Sequence, residues 1–237
     1  MSTFTPDMAV GEIAARIPLA TRVFEQLGID FCCGGRTPLN AACAAQGLEP
    51  AAVLDRILQT GLPSAAPAVD WRSASLDSLV DHILATHHVY TKAQLPRIDA
   101  LMEKVISKHG GGHPELAQVA QVFRAMKEEL GSHLMKEETI LFPLIRHLQS
   151  GAQGEHFHCG TVQNPIHVMV MEHDSAGDAL AQLRALTADY TPPADGCNTF
   201  RALYAELADL EWDLHQHIHL ENNILFPRAV ELESRSV

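Results

Sequence analysis

The chain has 237 residues, a formal charge of −12 with histidine neutral, five cysteines and 14 histidines. That length can bury a large core and permits one or two domains. The acidic balance excludes an electrostatic footprint for nucleic acid or an anionic membrane, and no stretch approaches the roughly 18 apolar residues of a spanning helix.

The first twenty residues carry Asp7 and Glu12 and lack a basic start followed by an apolar run, so no signal peptide is expected. An odd number of irregularly spaced cysteines, in a chain that needs no staples, points to a reduced, cytoplasmic setting. Residues 1–62 read as a small helical domain with helices near 8–16, 18–27, 38–46 and 50–60. Asp30-Phe31-Cys32-Cys33-Gly34-Gly35 forms a turn by composition. Residues 63–75 are a linker, with Ser75 as N-cap of the helix after it.

Residues 76–237 read as four long helices, over about 76–108, 114–149, 164–187 and 196–233. Ala, Leu, Glu and Gln fill them, and β-branched alternation is scarce. Gly110-Gly111-Gly112, Ser150-Gly151 and Thr191-Pro192-Pro193 punctuate the gaps, so the helices are expected to run antiparallel in an all-α four-helix bundle. Pro143 and Pro227 fall inside the second and fourth helices and imply a kink or an early end there.

The second and fourth helices share a phrase. Residues 133–143 read HLMKEETILFP and residues 217–227 read HIHLENNILFP. His133 aligns with His217 and Glu137 with Glu221, each pair at i and i+4 and so on one helix face. The first and third helices each bring histidines before the phrase. From His88 to His133 is 45 residues, and from His173 to His217 is 44. A hairpin repeated once gives the bundle an approximate internal twofold.

His133 and Glu137 continue the apolar stripe Val122–Met126–Leu130, and His217 and Glu221 continue Leu203–Leu207–Leu210–Leu214. A carboxylate on a core face is costly unless paired or bound to a metal. One such pair alone is as easily an ordinary hydrogen-bonded pair; its repetition in one context points to metal. In the first helix His88 and His87 tie by periodicity, with His82 nearby. In the third, His173 is preferred over His167, with Glu172 or Asp174 as the acceptor that fixes an imidazole. His215 and His219 point away from His217. His156, His158 and Cys159 offer at most a weak secondary contact. Four histidines and two carboxylates exceed the needs of one zinc and suit a pair of ions, with iron favoured and manganese or zinc as alternatives.

Together, Asp30-Phe-Cys-Cys-Gly-Gly, Asp70-Trp-Arg-Ser, Asp81-His-Ile, His133-x-x-x-Glu137 with Ile-Leu-Phe-Pro, Glu172-His-Asp and His217-x-x-x-Glu221-Asn-Asn-x-Leu-Phe-Pro resemble one family. It is the iron-sulfur cluster repair di-iron proteins, the repair-of-iron-centres group with a haemerythrin-like domain. The resemblance implies two non-haem irons in a haemerythrin-like bundle, bridged by Glu137 and Glu221 and an oxo or hydroxo group. It selects His88 over His87, so the implied ligands are His88, His133, Glu137, His173, His217 and Glu221. It also implies repair of clusters damaged by oxidative or nitrosative stress, through iron supply, with damaged iron-sulfur proteins as partners.

Alternatives from the same resemblance are capture of cytoplasmic nitric oxide and its reduction to nitrous oxide. A conventional enzyme is the less expected outcome. Cys32 and Cys33 match the family's vicinal pair and are candidates for iron transfer or nitric oxide chemistry; they read equally well as packing residues of a glycine turn. Cys43, Cys159 and Cys197 are expected to be passive. Apolar stripes on the short N-terminal helices imply self-association or a partner face, with a homodimer as the default.

Overall fold

The computed structural model describes residues 4–59, 69–151 and 160–236. His156, His158, Cys159 and the first part of the expected linker lie outside the described residues. Within them the chain is helical, and pairing between extended segments is confined to a bridge between Ala9 and Pro38. The elements are α1 (Val10–Arg16), α2 (Ala20–Gln26), α3 (Leu39–Ala45), α4 (Pro50–Gln59), α5 (Leu76–Ile83), α6 (Val89–His109), α7 (Glu115–Lys136), α8 (Phe142–Ser150), α9 (Gln163–Leu186), α10 (Asn198–Leu220) and α11 (Phe226–Ser236). Among the described residues no helix is long and apolar enough to cross a membrane.

Three π-helical turns, Leu84–His88, Glu137–Leu141 and Glu221–Leu225, join α5 to α6, α7 to α8 and α10 to α11. Of the kink or early end that Pro143 and Pro227 imply, the early end does not occur. Each proline is the second residue of the segment after the turn, and the helix runs on. The reason is local. A proline has no N–H to donate to the ladder, and the wider i→i+5 turn just before it takes up the mismatch.

The chain divides into two compact units that are not consecutive in sequence. One comprises the described residues of 82–144 and 154–214. Its core is built by Leu95, Ile98 and Met102 of α6, Leu116, Val119, Phe123, Met126 and Leu130 of α7, Ala176, Leu180 and Leu183 of α9, and Phe200, Leu203, Leu207, Leu210 and Leu214 of α10. Those spacings of three and four residues put one apolar stripe per helix against a shared interior, which is a four-helix bundle. In α9 the stripe is Ile166–Met169–His173, whereas Val168 and Met171 stand in solvent.

The other unit comprises the described residues of 1–81, 145–153 and 215–237. Val10, Ile13, Val23, Phe24, Phe31, Leu39, Val53 and Ile57 form its core, and Ile218 from the end of α10 is packed among them. The Arg228 guanidinium donates to the Trp71 and Ala74 carbonyls at 2.6 and 2.5 Å, tying α11 to the strap before α5. The N-terminal helices therefore complete their core with a residue more than 150 positions away.

Phe123 is fully buried in the bundle, while the Arg97 side chain is 62% exposed in its ion pair with Glu206. Phe123→Ala is expected to lower unfolding stability by about 3–5 kcal/mol, and Arg97→Ala by about 1 kcal/mol or less. Urea titration followed by circular dichroism checks both. Equal losses would contradict this assignment of the bundle core.

Candidate metal centre

In the bundle unit, three helices place ligand-type side chains around one carboxylate. Glu137 opens the π-helical turn after α7 and is fully buried. Its Oε2 lies 3.3 Å from His88 Nε2, and its Oε1 lies 3.3 Å from His133 Nε2. His173 from α9 meets His133 with their Nε2 atoms 3.1 Å apart. The ligand atoms of His133, Glu137 and His173 lie within 4.8 Å of one another.

The other nitrogen of two imidazoles is already engaged. His88 Nδ1 is 2.8 Å from Glu138 Oε1, and Glu138 is in turn held by Lys92 at 2.5 Å. His133 Nδ1 is 2.9 Å from Glu172 Oε2, and Glu172 is paired with Lys136. Burial pushes both carboxyls up, but the lysine and imidazole beside each one outweigh it, so Glu138 and Glu172 are held below the usual glutamate range. Ionised acceptors at Nδ1 assign the ring protons to Nδ1. The Nε2 lone pairs of His88 and His133 then face the Glu137 oxygens, and neither oxygen accepts a hydrogen bond from the described residues. Acceptors facing one another at 3.3 Å in a buried site call for a cation between them. The donor chemistry, imidazole nitrogen with carboxylate oxygen, suits a first-row transition ion.

In the other unit the repeat reproduces this turn. Glu221 opens the π-helical turn after α10, is fully buried, and has its Oε1 3.2 Å from His217 Nε2. The corresponding distance between His133 and Glu137 is 3.3 Å, so the duplicated phrase gives duplicated geometry.

The first-helix tie resolves by contact. His88 turns to Glu137 and Glu138, while His87 pairs with Asp213 at 2.9 Å. His167 and Asp174 are exposed. Sequence reasoning anticipated Glu172 but missed Glu138, Lys92 and Lys136. Their one signal was spacing, since Lys92 is four residues after His88 and Lys136 three after His133.

His215 and His219, set aside from the sequence, have clear places. His215 Nδ1 is 3.0 Å from Glu25 Oε2. His219 is buried edge-on to Phe31, and burial takes its pKa down to about 4. Its neighbour on the next turn, Asn223, donates from Nδ2 to the Phe31 and Cys32 carbonyls at 3.2 and 3.1 Å.

Cys32 is buried and its thiol lies 3.3 Å from Asp30 Oδ1. A bond with Cys33, then burial, keeps that thiol protonated well above the ordinary cysteine range. Cys33 is half-buried. Cys197, expected to be passive, is the low-pKa thiol: the Phe200 N–H at the start of α10 and His109 bring it down to about 6.

Known proteins place this arrangement. Residues 79–229 match the Hemerythrin HHE cation binding domain, and residues 6–60 match a domain of unknown function, DUF542. The iron-sulfur cluster repair protein YtfE of Edwardsiella ictaluri (strain 93-146) is 41% identical over 224 residues, covering 94% of this chain and 97% of its own. That of Musicola paradisiaca (strain Ech703) is 38% identical, covering 96% and 98%. A probable iron-sulfur cluster repair protein of Haemophilus influenzae is 39% identical, covering 93% and 96%. Identity at this level over nearly the whole of each chain, with the donor-lined bundle inside the matched cation-binding region, makes this chain a member of the haemerythrin-domain iron-sulfur cluster repair family.

Proposed function

We propose that this chain is a di-iron protein that takes part in repairing iron-sulfur clusters damaged by oxidative or nitrosative stress, by supplying iron. The observation that carries the reading is the buried Glu137 carboxylate, faced from both sides by imidazole nitrogens whose ring protons are committed elsewhere. The residues that would hold the two irons are His88, His133, Glu137, His173, His217 and Glu221, with Glu137 and Glu221 as the shared carboxylates, and all six fall within the matched cation-binding domain. Helix geometry supports including the fourth helix. His217 and Glu221 follow Leu214 at i+3 and i+7, on the face of α10 that Leu207, Leu210 and Leu214 commit to the bundle core. The haemerythrin match spans all six residues, and the relatives' printed names supply the repair role.

Iron bound there supplies a redox-active Lewis acid and, when released, the metal that a damaged cluster lacks. The residues set the terms of its retention. Glu138 and Glu172 orient His88 and His133 and hold the proton at Nδ1, and Lys92 and Lys136 keep those carboxylates ionised. Cys32, protonated and buried, is a poor resting ligand, which leaves Cys33 as the member of the pair with solvent access.

Two measurements test the centre. Purified protein should carry about two irons per chain, and free ferrous ion at 100 times its Kd should raise unfolding stability by about 2.7 kcal/mol. Glu137→Leu should abolish that gain while leaving the metal-free protein as stable as before or more so, because it removes a buried carboxylate. A loss of about 3–5 kcal/mol in the metal-free variant would instead mark Glu137 as an ordinary structural ion-pair partner, and one zinc per chain would overturn the di-iron assignment.

The outer carboxylates give a graded version. Glu138→Ala and Glu172→Ala should each weaken ferrous ion binding about 10–100-fold in competition with a chelator. Unchanged affinity in both would remove them from the site. For the role itself, loaded protein should reactivate a cluster enzyme damaged by nitric oxide, and metal-free protein should not. Uptake of nitric oxide without reactivation would replace iron supply with nitric oxide binding, and sustained nitrous oxide formation with added reductant would make the chain a reductase.

A further inference from the structure

The two copies of the repeated phrase differ in a place that matters. Glu138 aligns with Asn222 and Thr139 with Asn223. The Thr139 hydroxyl donates to the Met135 carbonyl at 2.7 Å, a bond within its own helix. Asn223, two residues after Glu221 in the same π-helical turn, reaches out of its helix instead. Its Nδ2 donates to the Phe31 and Cys32 carbonyls at 3.2 and 3.1 Å, and lies 3.2 Å from His219 Nδ1. Phe31 is packed on Phe24 and set edge-on to His219, so the turn that receives this amide is fixed in the core.

Two glycines show how closely the side chain is fitted. A Cβ at Gly35 would lie 2.2 Å from Asn223 Oδ1, and one at Gly11 would lie 2.5 Å from it. Gly11 is inside α1, where alanine is the better helix former by about 0.5–1 kcal/mol. Absence of a side chain there is explained by the space that Asn223 takes together with the Gly35 carbonyl, which a Cβ would meet at 2.9 Å. Gly11 N–H also donates to the Gly35 carbonyl at 2.8 Å, so α1, the Cys32–Cys33 turn and Asn223 close on one another.

We infer that Asn223 is a positioning residue that couples the Cys32–Cys33 turn to the Glu221 turn, so that modification of the thiols and binding of metal at Glu221 alter each other. The inference rests on the di-iron reading and adds to it a link from the cysteine turn to the ligand turn. The path is short: the Cys32 carbonyl, the Asn223 amide, and two peptide units to Glu221. Coupling between two binding sites is reciprocal, so a turn whose thiol environment responds to bound metal should, once its thiols are modified, bind metal with altered affinity.

The test uses the full chain and iodoacetamide under anaerobic conditions. A cysteine thiolate displaces iodide, forming an S–C bond without any redox partner. Labelling is read by mass spectrometry on the tryptic segment 23–36, which holds both cysteines of the pair, with and without ferrous ion. In the wild type, ferrous ion is expected to change the labelling rate at Cys33 by about 5-fold or more, and the alkylated protein should show a shifted Kd for ferrous ion. Asn223→Ala should bring both ratios close to one while iron per chain stays at the wild-type value. Gly11→Ala, whose Cβ would press on both the Asn223 side chain and the Gly35 carbonyl, should also lower both ratios while Asn223 stays in the chain.

A fold defect alone would lower stability without abolishing the metal dependence of labelling, so thermal melts are run alongside. Coupling that persists in either folded variant, or wild-type labelling that ignores bound iron, would overturn the inference and leave the di-iron reading intact. Wild-type protein that binds no iron would overturn the reading itself.

Discussion

The part of this chain that carries ligand-type side chains is governed by the cost of burying a carboxylate inside a helical bundle. Glu137 has no exposure, and the described residues give its oxygens imidazole nitrogens rather than N–H donors. Removing a charge from water costs several kcal/mol even after relaxation, which is comparable to the whole stability of a domain. Such a group persists only if something cationic compensates it. Glu138 and Glu172 take the Nδ1 protons of His88 and His133 outward, and Lys92 and Lys136 neutralise those carboxylates at the rim.

The backbone serves the same end. A regular helix sweeps about 100° per residue, and a π-helical turn lets it pause. Glu137 and Glu221 each stand at the first residue of such a turn, and His88 at the last residue of another. These turns are energetically inferior to α-helix and are commonly found at functional sites. Here Pro143 and Pro227 make them less costly, because the proline immediately downstream could not have completed an α ladder in any case. The Ile-Leu-Phe-Pro that closes both copies of the repeat therefore has a backbone purpose: it anchors a widened turn whose first residue is the glutamate.

The sequence discloses this site unevenly, for physical reasons. His133, Glu137, His217 and Glu221 stand out in the sequence because they interrupt an apolar stripe in a repeated context, and the structure buries all four. His173 stands out by the register of the repeat, and it is buried on the α9 stripe with Ile166 and Met169. His88 and His87 could not be separated by periodicity, since adjacent residues on a π-helical turn both reach the interior; only their partners, Glu137 and Asp213, divide them. Glu138, Lys92 and Lys136 look like ordinary surface charges in any one-dimensional reading. Their role depends on which neighbouring helix they face. The bundle and its four helices were readable from local pattern, whereas the sharing of one core by Ile218 and the N-terminal helices was not, because no local pattern encodes a contact across about 190 residues.

That long-range contact explains why His215 and His219 resist interpretation when only ligands are sought. The stretch from 215 to 225 has two faces. Leu214, His217 and Glu221 continue one stripe, while His215, Ile218, His219 and Asn223 occupy the other and are taken up by Glu25, the N-terminal core, Phe31 and the Cys32–Cys33 turn. His219 is kept neutral by burial, with a pKa of about 4, so it adds no charge where it packs against Phe31. A duplicated hairpin supplies two equivalent ligand turns. The first spends its variable positions on Glu138, which orients a histidine, and on Thr139, which bonds its own helix. The second replaces these with Asn222 and Asn223, and through Asn223 it acquires an attachment that the first lacks. The asymmetry between two otherwise matching halves is thus located at two residues, and one of them fastens the cysteine turn beside a glutamate that the fold cannot leave uncompensated.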